Sequence, residues 1–236
     1  MPSLYDYAHP FVTTDAVVFA LRTLPADSYR KLPVMQLRVL LYQRADEPAL
    51  GRWSLPGGFL NIDELPEDNA RRKLSDKALT TKCYLEQLYT FCDLGRDPRA
   101  RVISVVYLGL MREADTDHIG QSARWFTLTP GAPDLTLSDG ANRLVKSDLA
   151  FDHGNIIQVG LERLQAKIVY ADLLFHLLPA QFTLTQMQNA YETILGRKES
   201  AANFRRKMAG RVVSTGRYVG DKGHRPAELY TQKAGG

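Results

Sequence analysis

Between Gly57 and Thr80 the chain reads GGFLNIDELPEDNARRKLSDKALT, and within it Lys73, Asp76 and Lys77 fall at i, i+3 and i+4. Side chains at that spacing meet on one helical face. Carboxylates there would gather a divalent cation such as Mg²⁺, because hard dications take oxygen ligands. Two of these three positions carry lysine instead. Each lysine would repel a dication about 4 Å away by roughly 1 to 4 kcal/mol per unit charge at surface-like dielectric. Glu64 and Asp76 alone should therefore hold Mg²⁺ weakly, and no metal site is expected. What remains is a site for an anion. Its expected contacts are Arg52, the Gly57–Gly58 backbone, Phe59, Glu64, and Arg96, Arg99 and Arg101 of the loop GRDPRAR. Guanidinium groups suit bidentate phosphate binding, although Asp93 and Asp97 are competing partners for any one of them.

A second chemistry lies near the C-terminus. Residues 197–225 hold nine basic residues, Arg197, Lys198, Arg205, Arg206, Lys207, Arg211, Arg217, Lys222 and Arg225, against Glu199 and Asp221. Such a run can be a solvated face. Here it follows a helix pattern, FTLTQMQNAYETILG, with Thr183 or Thr185 as cap and Gly196 as stop, then SAANFRRKMAG capped by Ser200. The pair is a helix-turn-helix candidate. Thr185, Asn203, Arg205, Arg206, Lys207 and Arg211 are the expected DNA contacts on it. Asn reads adenine and Arg guanine through paired hydrogen bonds, while Phe204 and Met208 turn to the core. The following RVVSTGRYVGDKGHRPAELYTQ should form a wing, with Lys222, His224 and Arg225 gripping phosphate or the minor groove.

The elements that would position these groups alternate in period. Apolar runs predict strands over Ala16–Leu21 and Gln36–Tyr42, then Tyr84–Cys92, Val102–Met111 and 123–128. From Pro66 the period becomes helical, with Ala70, Leu74, Lys77 and Ala78 in one neighbourhood. TPGAPDLTLSDGAN reads as a loop leading to a helix around Ala141–Leu149. Spacing of apolar residues from Ile156 to Leu178 predicts one long amphipathic helix, which either caps the first domain or, as preferred, begins the second. The domains expected are 1–155 and 156–236.

Composition sets wider limits. The 236 residues include 44% hydrophobic and 24% charged types, those of an ordinary soluble protein of one large or two modest domains. Net charge is +4, and it is unevenly placed: residues 1–150 hold 18 Lys and Arg against 19 Asp and Glu, whereas 151–236 hold 12 against 7. A polyanion partner for the last third is the natural reading. Cys83 and Cys92 lack zinc-ligand spacing, and no secretory or membrane-spanning apolar run stands out, so a reduced, cytoplasmic protein is expected.

Gly58, Glu64 and Arg72 stand at the separations of the Nudix box, G-x5-E-x7-R-E-U-x-E-E-x-G-U with U aliphatic, while Lys73, Lys77, Leu79 and Thr80 depart from it. SLPGGF precedes it and strands flank it. Residues 10–150 thus resemble the Nudix fold, an α/β/α sandwich with a mixed sheet, followed by an α+β winged helix-turn-helix domain. The resemblance makes Arg72 the residue that orients the surviving carboxylate. With GRDPRARVISVVYLGL, FTLTQMQNAYETILGRKESAANFRRKM and GHRPAELY added, nearly the whole chain resembles the NrtR family of regulators of NAD metabolism. This implies a bacterial homodimeric repressor, without catalysis or required cofactor, that binds palindromic double-stranded operators of NAD biosynthesis or salvage genes. ADP-ribose would be the effector that releases it. The alternative is an active ADP-ribose pyrophosphatase with a DNA-binding appendage, using Glu64, Asp76 and a displaced acid, Glu67 or Asp63.

Overall fold

A computed structural model describes residues 3, 6–25, 33–78, 82–132, 134–220 and 226–233. Strands β1 (Phe11–Leu24), β2 (Val34–Gln43), β3 (Trp53–Ser54) and β4 (Gly57–Phe59) lead to helix α1 (Pro66–Ala78). Then come β5 (Tyr84–Phe91), β6 (Val102–Met111), β7 (Ala123–Leu128), β8 (Thr136–Ser138) and β9 (Arg143–Val145). These strands form one mixed sheet in the order β5-β6-β1-β2-β7-β8-β9, with β3 on β2 and β4 on β1. Only β1 and β6 run parallel among these pairs. β1 is longer than its apolar run because it has partners along its whole length: β6 over 11–20, β4 over 13–15 and β2 over 19–24.

The sheet separates two cores. On one face Ala16, Val18, Leu40 and Tyr42 pack with Ala70, Leu74 and Ala78 of α1. On the other, Val17, Phe19, Leu37, Val39 and Leu41 share a continuous core with helix α2 (His153–Lys167) and with the C-terminal elements. Gly160 lets α2 approach β1: a Cβ there would stand 2.8 Å from Val17.

Two expected helices take other forms. Instead of a helix over Ala141–Leu149, β8 and β9 form a hairpin, followed by a 3-10 turn at Lys146–Asp148. Asp139 dictates this, because its carboxylate accepts from the backbone N–H of Ala141 (3.0 Å) and Asn142 (2.6 Å), beside Gly140 at φ 93°. The long helix predicted over Ile156–Leu178 starts earlier, at His153, and stops at Lys167; a separate 3-10 turn spans Asp172–His176. The break leaves the carbonyl of Ala171 and the carboxylate of Asp172 free to accept from Arg211. Apolar spacing hid it, since Ile168, Leu174 and Leu178 enter the same core on either side.

The C-terminal unit comprises β10 (Phe182–Thr183), α3 (Leu184–Leu195), α4 (Ala201–Met208), β11 (Val212–Val219) and β12 (Ala227–Gln232). Thr183, and not Thr185, caps α3, in a reciprocal capping box with Gln186. Gly196 ends the helix at φ 67°, where a Cβ would also lie 2.4 Å from the Pro130 carbonyl oxygen. Ser200 caps α4, and Phe204 and Met208 are buried as expected. β12 lies between β10 and β11 in a three-stranded wing sheet. The architecture is therefore a mixed-sheet α/β/α sandwich followed by a winged helix. Among the described residues no helix is long and apolar enough to cross a membrane.

Candidate functional site

A cavity of about 580 Å³ opens between β4, α1, the loop after β2 and the segment entering α2. Glu64 does not itself line it. Both carboxylate oxygens of Glu64 accept from Arg72, from Nε at 2.7 Å and from Nη2 at 2.6 Å. A third bond comes from Asn69 Nδ2 at 2.7 Å, and the same amide reaches the Phe59 carbonyl at 2.8 Å. The Arg72 guanidinium, then the Asn69 amide, hold the Glu64 carboxyl down to about 2. The resulting clamp fixes the 57–64 loop on α1.

One wall is cationic. Lys73 and Lys77 both line the cavity. Gly58 makes room for Lys73, since a Cβ there would sit 2.8 Å from Lys73 Cε. Burial, then the neighbouring charges of Arg72 and Lys77, lower the Lys73 pKa. Lys77 donates to the Tyr42 hydroxyl (2.6 Å) and lies 4.0 Å from the centre of that ring.

The floor is a buried polar network. Asp15 accepts from Ser104 Oγ at 2.6 Å and lies 3.9 Å from Arg96 Nη2. Arg96 is held bidentately by Asp152 at 2.9 and 2.8 Å. His153 Nδ1 accepts from the Leu55 N–H (2.9 Å), which places its proton, when neutral, on Nε2, 3.7 Å from Asp15. Burial keeps the His153 pKa below its usual value. Gly57 is required above this floor, because a Cβ would fall 2.0 Å from Asp15 Oδ1 and 2.5 Å from the Thr14 carbonyl. The opposite wall alternates aromatic rings and guanidinium groups: Arg99 lies 5.3 Å from Phe59 and 6.0 Å from Phe151, which Arg44 covers at 5.0 Å. Phe151 holds a left-handed φ of 53°, a strained conformation for a bulky residue.

Of the ligand contacts expected from sequence, Gly57, Gly58, Phe59, Arg96 and Arg99 line the cavity. The other three do not. Arg52 donates to the carbonyls of Ser147 and Asp148, Arg101 to that of Asp93, and Glu64 is clamped by Arg72. Asp15, Tyr42, Arg44, Phe151 and His153 were not anticipated. The lone acid in TTDAVVFA, entering an otherwise apolar strand, was the available signal for Asp15.

On the winged helix, Thr185, Arg205 and Arg206 are exposed and Asn203 is half-buried. Asn203 accepts from Arg206 (3.0 Å), so these two share one surface. Lys207 instead turns back to Glu199 (2.6 Å), whose carboxylate raises its pKa. Arg211 is engaged by Asp172 at 2.8 Å, and Gln232 reaches the other oxygen of that carboxylate at 3.0 Å. Lys222, His224 and Arg225 lie outside the described residues.

Comparison with known proteins bears on both halves. A model of the NUDIX domain matches residues 32–142, and one of the NrtR DNA-binding winged helix domain matches 174–231. The ADPR responsive transcriptional repressor NtrR of Acinetobacter baylyi is 35% identical over 234 residues, which cover 95% of this chain and 83% of that one. The chain belongs to the NrtR family. A crystal structure of Shewanella oneidensis NrtR complexed with a 27mer DNA superposes with a TM-score of 0.72 at 33% identity, covering 94% of this chain and 93% of that one. An ADP-ribose pyrophosphatase of Methanocaldococcus jannaschii is 27% identical, over 64% of this chain and 73% of its own.

The Nudix half of this NrtR protein does not fit the dication its fold family uses. Lys73 and Lys77 occupy two of the three helical positions, Asp76 alone supplies oxygen there, and Glu64 does not line the cavity. Among the described residues no group of three or more His, Cys, Asp or Glu could hold a metal. The displaced acids considered from sequence do not repair this. Neither Asp63 nor Glu67 lines the cavity, and Glu67 pairs with Arg71 at 2.7 Å.

Proposed function

We propose that this NrtR protein is a transcriptional repressor that binds operator DNA through its winged helix and releases it when ADP-ribose enters the Nudix cavity. The observation that carries this reading is the cationic wall. Lys73 and Lys77 line that wall and suit a diphosphate, and the same lysines oppose the dication that hydrolysis would need; Arg96 and Arg99, elsewhere on the lining, are matched by Asp152 at 2.8 Å and Asp97 at 2.7 Å. Phe59 and Phe151 supply apolar faces for the rest of a nucleotide. The protein is thus read as a receptor and not as an enzyme, with no required cofactor.

DNA binding is assigned to Thr185, Asn203, Arg205 and Arg206, with Lys222, His224 and Arg225 gripping phosphate or the minor groove. Lys207 and Arg211 have internal carboxylate partners and are read as bracing the motif. A two-fold homodimer would present two such surfaces to a palindromic site with half-sites about one helical turn, or a multiple, apart. Genes of NAD biosynthesis or salvage are the proposed targets, and the cytoplasm the proposed location.

A gel-shift titration on duplexes selected by the protein from genomic fragments tests the reading. Binding should weaken steeply with salt, and ADP-ribose should lower it by a coupling of roughly 1–3 kcal/mol. Operator affinity indifferent to ADP-ribose would sink the sensing role. Formation of AMP and ribose phosphate with Mg²⁺ would instead establish a pyrophosphatase.

A further inference from the structure

A second cavity, of about 550 Å³, shares no lining residue with the first. It occupies the α1 side of the sheet beyond the end of that helix. Cross-strand pairing puts Arg22 opposite Gln36, Ala20 opposite Arg38, Arg38 opposite Thr127 and Leu40 opposite Trp125, so these side chains share that face. Arg22, Gln36, Arg38, Trp125 and Thr127 line the cavity, with Ile119 as an apolar edge.

Arg38 is the unusual member. It is only 8% exposed, yet its one hydrogen bond is to a neutral group, the Thr116 hydroxyl at 3.2 Å, and its Nε has no partner among the described residues. Its guanidinium lies 5.3 Å from the centre of the Trp125 ring, which fixes its plane. Glu113 and Asp117 are near enough to act on Arg38 at a distance. Neither forms an ion pair with it, and both oxygens of Glu113 are taken by Thr23, by its N–H at 2.7 Å and its hydroxyl at 2.8 Å. Arg124, also on the lining, is matched by Asp139 at 3.1 Å. Arg22 is exposed at the rim and has no carboxylate partner among the described residues.

A buried charge is ordinarily paired, because removing it from water alone is expensive. Arginine cannot escape the penalty by losing its proton at neutral pH. We infer that this cavity is a second ligand site, in which Arg38 and Arg22 hold the phosphate group of a small organic phosphate. Two guanidinium groups match a dianion, the planar fork suits paired phosphate oxygens, and the volume lies in the range of metabolite pockets. Trp125 and Ile119 would contact the organic part.

Trp125 supplies the reporter, since its indole N–H donates to the Thr116 carbonyl (3.2 Å) beside Arg38. Its ¹H–¹⁵N resonance, distinguished from that of Trp53 by a Trp125→Phe variant, is followed in the full chain while inorganic phosphate is added. The resonance should shift and saturate. Arg38→Met should weaken the titration by about tenfold or more and Arg22→Gln by a smaller factor. Lys73→Gln, in the other cavity, should leave it unchanged. If Arg38→Met does not fold, the Arg22→Gln titration decides alone. No shift with phosphate, or titrations as tight in the arginine variants as in the native chain, would overturn the assignment. So would a shift that follows protein concentration without phosphate, because a second copy would then fill the cavity.

Discussion

The Glu64 and Arg72 pair shows how one contact can serve a loop as well as the chemistry it is associated with. Arg72 orients the Glu64 carboxylate through both oxygens, and Asn69, which bridges Glu64 and the Phe59 carbonyl, ties the same acid to the loop. Its folded pKa of about 2 lies below the ordinary 4.5. The stabilisation is therefore complete above pH 4.5 and lost as pH falls toward 2. Glu64→Gln should flatten the pH dependence of the urea midpoint in that window, and an unaltered slope would show that the clamp contributes nothing. The lysines permit a complementary test. With Lys73→Glu and Lys77→Glu together, oxygen ligands would face Asp76, and Mg²⁺ should raise the melting temperature where it leaves the native chain unmoved. Absence of any Mg²⁺ response would mean that the cavity differs from a metal site by more than these two positions.

At the scale of elements, caps and stops were legible because their signals are local. Pro66 opens α1, Thr183, one of the two caps offered by the sequence, opens α3, Gly196 closes it, and Ser200 opens α4. Thr183→Ala should cost about 1 kcal/mol of stability in chemical denaturation; a neutral result would mean that the packing of α3 alone sets its start. The misread elements fail for the opposite reason. The 141–149 segment has helix-compatible composition, but the Asp139 carboxylate captures the following amides first. The break after Lys167 goes with contacts distant in sequence, Arg211 and Gln232 gathering on Asp172.

Across the whole molecule, one helix connects the two sites. Asp152 and His153 at the start of α2 belong to the cavity floor, while Gln165 near its end donates to the Ile194 carbonyl of α3 at 3.0 Å. The far end is also tied to the sheet by Lys167 and Glu86 (2.6 Å). A change in the floor could thus tilt the winged helix, provided that ADP-ribose binds the two arrangements unequally. Gln165→Ala should leave operator affinity in the absence of ligand nearly unchanged and shrink the effect of ADP-ribose on it, read by fluorescence anisotropy. Full retention of that effect would place the coupling elsewhere.

By itself the sequence determined the order of the two domains, the Nudix frame at Gly58, Glu64 and Arg72, the lysines that replace its acids, and the basic helix-turn-helix. Each rests on residues close together in the chain, where helical or alternating spacing is enough. Only the tertiary structure decided which arginines are available. Arg96 finds Asp152 56 positions away, Arg211 finds Asp172 39 positions away, and Arg38 ends buried with no carboxylate paired to it among the described residues. A guanidinium at the end of a long side chain takes whichever acceptor the fold delivers. That is settled when sheet and helices close, and spacing along the chain cannot express it.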